Sequence, residues 1–173
     1  VFTPDVISGV NIYQANIPAK YGGRIASVVD IKVKSPYTDK FKLEGGVGVI
    51  SSRLSLSTPI IKDKLMLLAG GRIGFTDFLF PLLIPRLKNT KANFKDSTVK
   101  LLYLPNENNQ LTYTHFFSQD FYQLDLISSI ENIVSSSNQY DFGTSNHTLR
   151  WLHSFDNETN LVGTFVHSNY LPQ

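Results

Sequence analysis

STVKLLYLPNENNQLTYTHFFSQ, residues Ser97 to Gln119, decides the fold. Two alternating runs flank a polar turn, Pro105 to Asn109. Side chains in a strand point to opposite faces in turn, so Val99, Leu101 and Tyr103 share one face. A turn of this length sets Tyr103 opposite Leu111 and Leu101 opposite Tyr113, which gives one apolar surface across both strands. Thr98, Lys100, Thr112 and Thr114 fall on the other face, and Leu102 and Phe116 break the pattern. This predicts an antiparallel hairpin with one apolar and one mostly polar face.

The same pattern recurs on either side. Downstream, Thr144–Phe155 and Leu161–Tyr170 are joined by the turn DNETN. That spacing sets Phe155 opposite Leu161 and Trp151 opposite Phe165, with Leu149 beside them. Thr148, Arg150, Ser154, Thr164 and Ser168 point the other way. Upstream, Phe41–Ser57 and Leu65–Asp77 are joined by TPIIKDK. Leu65, Leu67, Ala69, Ile73 and Phe75 alternate there with Met66, Leu68, Gly70, Arg72 and Gly74. Within Phe41–Ser57 the parity changes: Phe41, Leu43, Val47 and Val49 are odd, Leu54 and Leu56 even. A bulge, or inward burial of Leu54 and Leu56, would reconcile the two sets.

The turns within hairpins are short and rich in Asn, Asp and Pro. The connections between hairpins, Phe78–Asp96 and Asp120–Gly143, each run about 20 residues, which is uncommon in compact soluble domains. Short turns at one end and long loops at the other is the layout of an outer-membrane barrel. Aromatic residues near predicted strand ends (Tyr103, Tyr113, Phe117, Trp151, Phe155, Tyr170) fit its interfacial girdles. A soluble antiparallel sandwich is the alternative that periodicity alone allows.

Composition excludes several classes. The chain has 173 residues, a net charge of +2 and no cysteine. Lys and Arg are scattered, so no nucleic-acid partner is expected. Without cysteine there is no disulfide framework or thiolate metal site. Val1 follows no Met, charged n-region or apolar h-region, which points to a removed leader or a segment of a longer chain. The longest apolar run, FLFPLLIP, has eight residues and two prolines, against the roughly 20 a spanning helix needs.

Catalytic signals are weak. His115, His147, His153 and His167 are isolated, with no HExxH-like spacing, and are expected to be ordinary strand residues. Gly45, Gly46, Gly48, Gly70, Gly71 and Gly74 lack the pattern of a phosphate loop. They suit close backbone approach or barrel curvature. Asp120, Asp125 and Asp141 match no calcium loop and are expected to solvate a loop. No enzyme activity, metal or cofactor is expected.

At the N-terminal end, IPAKYGGRIASVVDIKVKS carries Ala19, Tyr21, Gly22 and Gly23, then Val28, Val29, Ile31 and Val33. It resembles the end of the plug domain of TonB-dependent outer-membrane receptors. SSRLSLSTPIIKDKLMLLAGGRIGFTDFL resembles the first barrel hairpin of that family, and TLRWLHSFDNETNLVGTFVHSNY a later one. The Gly-Gly-Arg form is similar to the branch that carries a carboxypeptidase-regulatory-like domain before the plug. Where many members place a further Gly before the last plug strand, this chain has Ala26-Ser27.

The resemblance implies residues 1–35 as the end of a plug and 36–173 as about six antiparallel strands of a barrel of ~22. The chain would then be a fragment, because six strands would leave open edges in lipid. It also implies a receptor that binds an external ligand and imports it through a plugged barrel. The partners implied are outer-membrane lipids, a TonB-type energy-coupling protein whose contact box lies upstream, and a surface lipoprotein or lid. Two other functions stay open: an outer-membrane barrel with a structural or secretion role, and a soluble β-sandwich binding module.

The candidate residues follow. Tyr21, Gly22, Gly23 and Arg24 form the plug turn, with the glycines adopting backbone angles closed to other residues. Arg24 is read as a solvated turn residue or as a salt bridge to a wall carboxylate. Ile25–Val33 is expected as the last plug strand. Arg72, Lys100 and Arg150 should face the lumen, with plug carboxylates such as Asp30 as counter-charge. Leu101, Tyr113, Trp151 and Phe165 should face lipid. Leu82, Leu83 and Ile84 form an apolar loop expected to fold over the barrel mouth, dip into the outer leaflet or dock a partner.

Overall fold

The structure is a computed structural model that describes residues 2–14, 17–19, 21–22, 27–77, 91–125, 137–156 and 158–172. The described residues are all-β and antiparallel. A short 3-10 turn, Pro4–Val6, precedes a two-stranded sheet of β1 (Ile7–Gln14) and β2 (Ser27–Val33). A second sheet has seven strands in chain order: β3 (Lys42–Val47), β4 (Ser51–Ile61), β5 (Leu65–Phe75), β6 (Lys91–Asn106), β7 (Asn109–Asp125), β8 (Ser137–Ser154) and β9 (Asn160–Pro172).

The strand count corrects the expected six, and the extra strand explains the parity change. Phe41–Ser57 is not one strand. It folds back at Gly48–Ile50, where the Gly48 N–H donates to Ser51 O at 2.9 Å. Leu43 then pairs with Leu56 and Gly45 with Leu54, so odd residues of β3 and even residues of β4 share a face. Neither a bulge nor inward burial is needed. The strand Ile7–Gln14, whose Gly9 to Gln14 pair with Lys32 to Ser27, went unread in the sequence.

The long connections are also shorter than expected. Lys91–Asp96 belongs to β6, while β7 runs on to Asp125 and β8 starts at Ser137. β6, β7 and β8 have 16, 17 and 18 residues. At ~3.3 Å per residue each is longer than the ~9–11 residues a membrane strand requires. Residues 78–90 and 126–136, with Leu82, Leu83 and Ile84, lie outside the described residues.

The second hairpin has the expected register, with Tyr103 opposite Leu111 and Leu101 opposite Tyr113. The third is shifted by one pair. Trp151 stands opposite Gly163, Leu149 opposite Phe165 and His153 opposite Leu161. The cause is a turn centred one residue earlier: the Phe155 N–H bonds Thr159 O, and Asp156 Oδ1 accepts from the Glu158 and Thr159 amides at 2.9 and 2.6 Å. A shift by a whole pair leaves every side chain on its expected face. The three hairpin turns lie side by side, since Leu104 N–H donates to Lys64 O and Ser154 N–H to Asn108 O.

Candidate functional site

The seven-stranded sheet has two unlike faces. One carries Leu43, Leu54, Leu67, Leu101, Tyr113, Leu149, Trp151 and Phe165 by register. Trp151 is 42% and Phe165 68% exposed, and no other element among the described residues covers them. The other face carries Arg53, Ser55, Met66, Arg72, Asp96, Thr98, Lys100, Thr112, Arg150 and Thr164. Nearly all burial is here: Ser55, Met66, Leu68, Asp96, Thr98, Leu102, Thr112 and Ser118 are buried on this inner face.

What buries them is the N-terminal segment. Val6 is fully buried against β5, held there because Gly70 has no side chain; a Cβ at Gly70 would come within 2.4 Å of Val6 Cγ1. Phe2 stacks on Phe116 with ring centroids 4.2 Å apart. Phe116 broke the polar pattern of the second hairpin because Phe2 rests on it, and Leu102 is buried on the same face.

Polar contacts surround these residues. Thr3 Oγ1 donates to Asp96 Oδ1 at 2.6 Å. The other Asp96 oxygen accepts from Arg72 Nε at 2.9 Å, with Arg72 Nη2 also 2.9 Å away. Asp5 pairs with Arg53 at 2.9 Å. Lys100 Nζ donates to the Val33 and Lys34 carbonyls at 3.1 and 3.2 Å, so the wall grips the end of β2. The Lys34 N–H donates to Val6 O at 2.8 Å and ties β2 to the 3-10 turn. Arg72 and Lys100 thus stand on the predicted face, but their partners differ from expectation. Arg72 takes its counter-charge from the neighbouring strand, because Asp96 pairs directly opposite it. Lys100 finds backbone carbonyls, not Asp30. Arg150 lies on the same face, exposed, opposite Thr112 and Thr164.

The turn at Tyr21–Gly22 is held differently from the reading of its glycines. Tyr21 N–H donates to Pro18 O at 2.9 Å, and the Tyr13 and Tyr21 rings are 5.6 Å apart. Gly22 has no positive φ, and empty space stands where its Cβ would be, so any residue fits there. Gly23 and Arg24 lie outside the described residues, and the strand expected from Ile25 is described from Ser27.

The aromatic residues expected near strand ends divide between the two faces. Tyr103, Tyr113, Phe117 and Trp151 are outward, but register sets Tyr170 opposite Thr144 on the inner face. Phe117 lies mid-strand in β7, not near an end.

The histidines are not isolated. His115, His147 and His167 are successive cross-strand partners on the outer face. The His115 and His147 rings stack at 4.5 Å, and Tyr113 Oη lies 2.9 Å from His147 Nδ1. The β7–β8 register comes from a long connection with no turn rule, and the β8–β9 register was one pair off, so the row was illegible. Asp120, Asp125 and Asp141 lie in β7 and β8, not in a loop, and Gln119 Nε2 donates to both Asp141 oxygens at 3.0 Å. Among the described residues no group of three or more His, Asp or Glu is placed to hold a metal ion.

No family model, curated protein or solved structure matches the chain.

Proposed function

We propose that this chain supplies the end of a plug and the first wall strands of a TonB-dependent outer-membrane receptor that imports an external ligand. One observation carries the reading. A seven-stranded sheet exposes Leu, Phe and Trp on one face and holds a separate N-terminal unit on its polar face. An outer-membrane barrel with a plug has this arrangement, apolar toward lipid and polar toward the lumen. Among the described residues no second sheet covers Leu149, Trp151 or Phe165, which favours the membrane reading over a sandwich. Seven strands are too few for a plugged transporter, so the rest of the wall belongs to further chain.

In this reading ligand binds from outside, a TonB-type protein supplies energy from the inner membrane, and the plug loosens from the wall to open a path. The contacts that must give way are Thr3–Asp96, Asp5–Arg53 and the grip of Lys100 on Val33 and Lys34. No bond-making chemistry is required of these residues.

The test is fractionation and gel mobility of the full-length protein. The expected result is recovery in the outer membrane and a folded band in detergent that shifts on heating. Uptake of the ligand should stop when the inner membrane is de-energised. A protein that stays soluble without detergent and shows no heat shift would defeat the membrane reading. Energy-independent uptake would defeat the TonB part alone.

A further inference from the structure

Resting on the membrane reading above, we infer that the outer face of β4–β7 holds a lipid site: a groove that seats one acyl chain, with Lys95 at the phosphate headgroup. The groove measures about 690 Å³. Its floor is made of small residues, Ala69 and Gly71 on β5 and Ser97 on β6, with Gly71 directly opposite Ser97. Leu54, Ile73 and Phe117 rise around it. Arg53, Arg72 and Asp96 also border it, but they belong to the inner face, where Asp5 and Arg72–Asp96 pairing engage them.

Charge selects the occupant. Lys95 is the one charged side chain among the outward residues lining the groove, and its Nζ lies 5.9 Å from the Phe117 ring. It stands toward the Gly48–Ile50 end of the sheet, away from the three hairpin turns. An apolar trough ending in one exposed cation matches an acyl chain below an anionic phosphate. An apolar polypeptide segment would fill the trough but leave Lys95 without a role.

The full-length barrel is purified in detergent, exposed to vesicles of phosphatidylglycerol or phosphatidylcholine, and weighed by native mass spectrometry. One phosphatidylglycerol should stay bound, in preference to phosphatidylcholine. Lys95→Gln should reduce that preference about fivefold, the worth of one interfacial lysine. Ala69→Phe and Ser97→Leu fill the floor and should abolish retention while the heat-shifted band persists. Inorganic phosphate in excess should leave the lipid bound; displacement by phosphate alone would overturn the acyl groove. Equal retention of the two lipids, or full retention by Ala69→Phe, would overturn the inference and leave the barrel reading intact. A polypeptide cross-linked from Ser97→Cys in place of lipid would do the same. Absence of any heat-shifted band in the wild type would instead fail the membrane reading.

Discussion

Replacing Asp96 by Ala should release the N-terminal segment from the wall. The Asp96 side chain is 2% exposed and that of Arg72 15%, so the pair is largely shielded from water. Taking away one member leaves the Arg72 guanidinium without counter-charge, which costs about 3–5 kcal/mol in a buried site. The Thr3 hydroxyl loses its acceptor as well, for about 1 kcal/mol. The face beside the segment is not wholly dry, so the lower end, about 3 kcal/mol, is the better expectation. At 1.4 kcal/mol per tenfold that is roughly a hundredfold shift toward the undocked segment. Hydrogen exchange on the full-length protein in detergent reads it at the Val6 amide, since Val6 is fully buried against β5 while the segment is docked. Asp96→Asn keeps an acceptor for Thr3 and should give a smaller loss. The double change Arg72→Leu with Asp96→Leu removes both charges and should recover most of the protection. Gly70→Val attacks the same contact sterically, since its Cβ would overlap Val6. If Asp96→Ala leaves Val6 exchange unchanged, or the double change is as damaging as the single one, the pair does not hold the segment.

Three further outcomes are expected. Leu101→Arg and Trp151→Arg place a cation on the outer face, at about 2–4 kcal/mol at the bilayer midplane and less toward the interface where Trp151 stands, and Leu101→Arg should block assembly of the heat-shifted band. Lys100→Gln and Arg150→Gln should assemble, with Lys100→Gln loosening the grip on β2; the reverse pattern on a gel would invert the two faces. In intact cells Val49→Cys should react with an impermeant thiol reagent and Asn108→Cys should not, because the Gly48–Ile50 and Pro105–Asn109 turns lie at opposite ends of the sheet; the opposite labelling overturns the orientation. The Glu158 and Thr159 amides hold the Asp156 carboxyl below its ordinary value of 3.8. With the folded value depressed, the support it gives the β8–β9 turn is present above 3.8 and is lost as pH falls through the folded value. The protection of those two amides, taken relative to the intrinsic exchange rate at each pH, should therefore fall in acid for the wild type and lose that dependence in Asp156→Asn, and a flat wild-type profile would refute the capping role.

Face assignment was legible because parity survives errors that register does not. The third hairpin slid by a full pair, yet Leu149, Trp151 and Phe165 stayed outward and Arg150 inward. The Gly48–Ile50 turn was illegible because GGVGVISS has no Asn-Gly or Pro signal, only a change of parity that a bulge explains equally well. The docked segment was harder still, since its contacts are long-range: Thr3 and Asp96 are 93 residues apart, and Lys100 and Val33 67. Its trace lay in the positions that broke alternation. Phe116 is apolar on a polar face because Phe2 stacks on it, and Met66, Leu68 and Leu102 are buried on the same face. On β8 and β9, Arg150 and Thr164 share the inner face with residues that stay open to water. An apolar exception to strand parity, recurring on neighbouring strands in one register, thus marks where another element lands. The polar exceptions on the opposite face, His115, His147 and His167, are also in register across neighbouring strands. By the same logic they bound the apolar surface where it runs from Leu101 and Tyr113 to Leu149 and Phe165, one pair away.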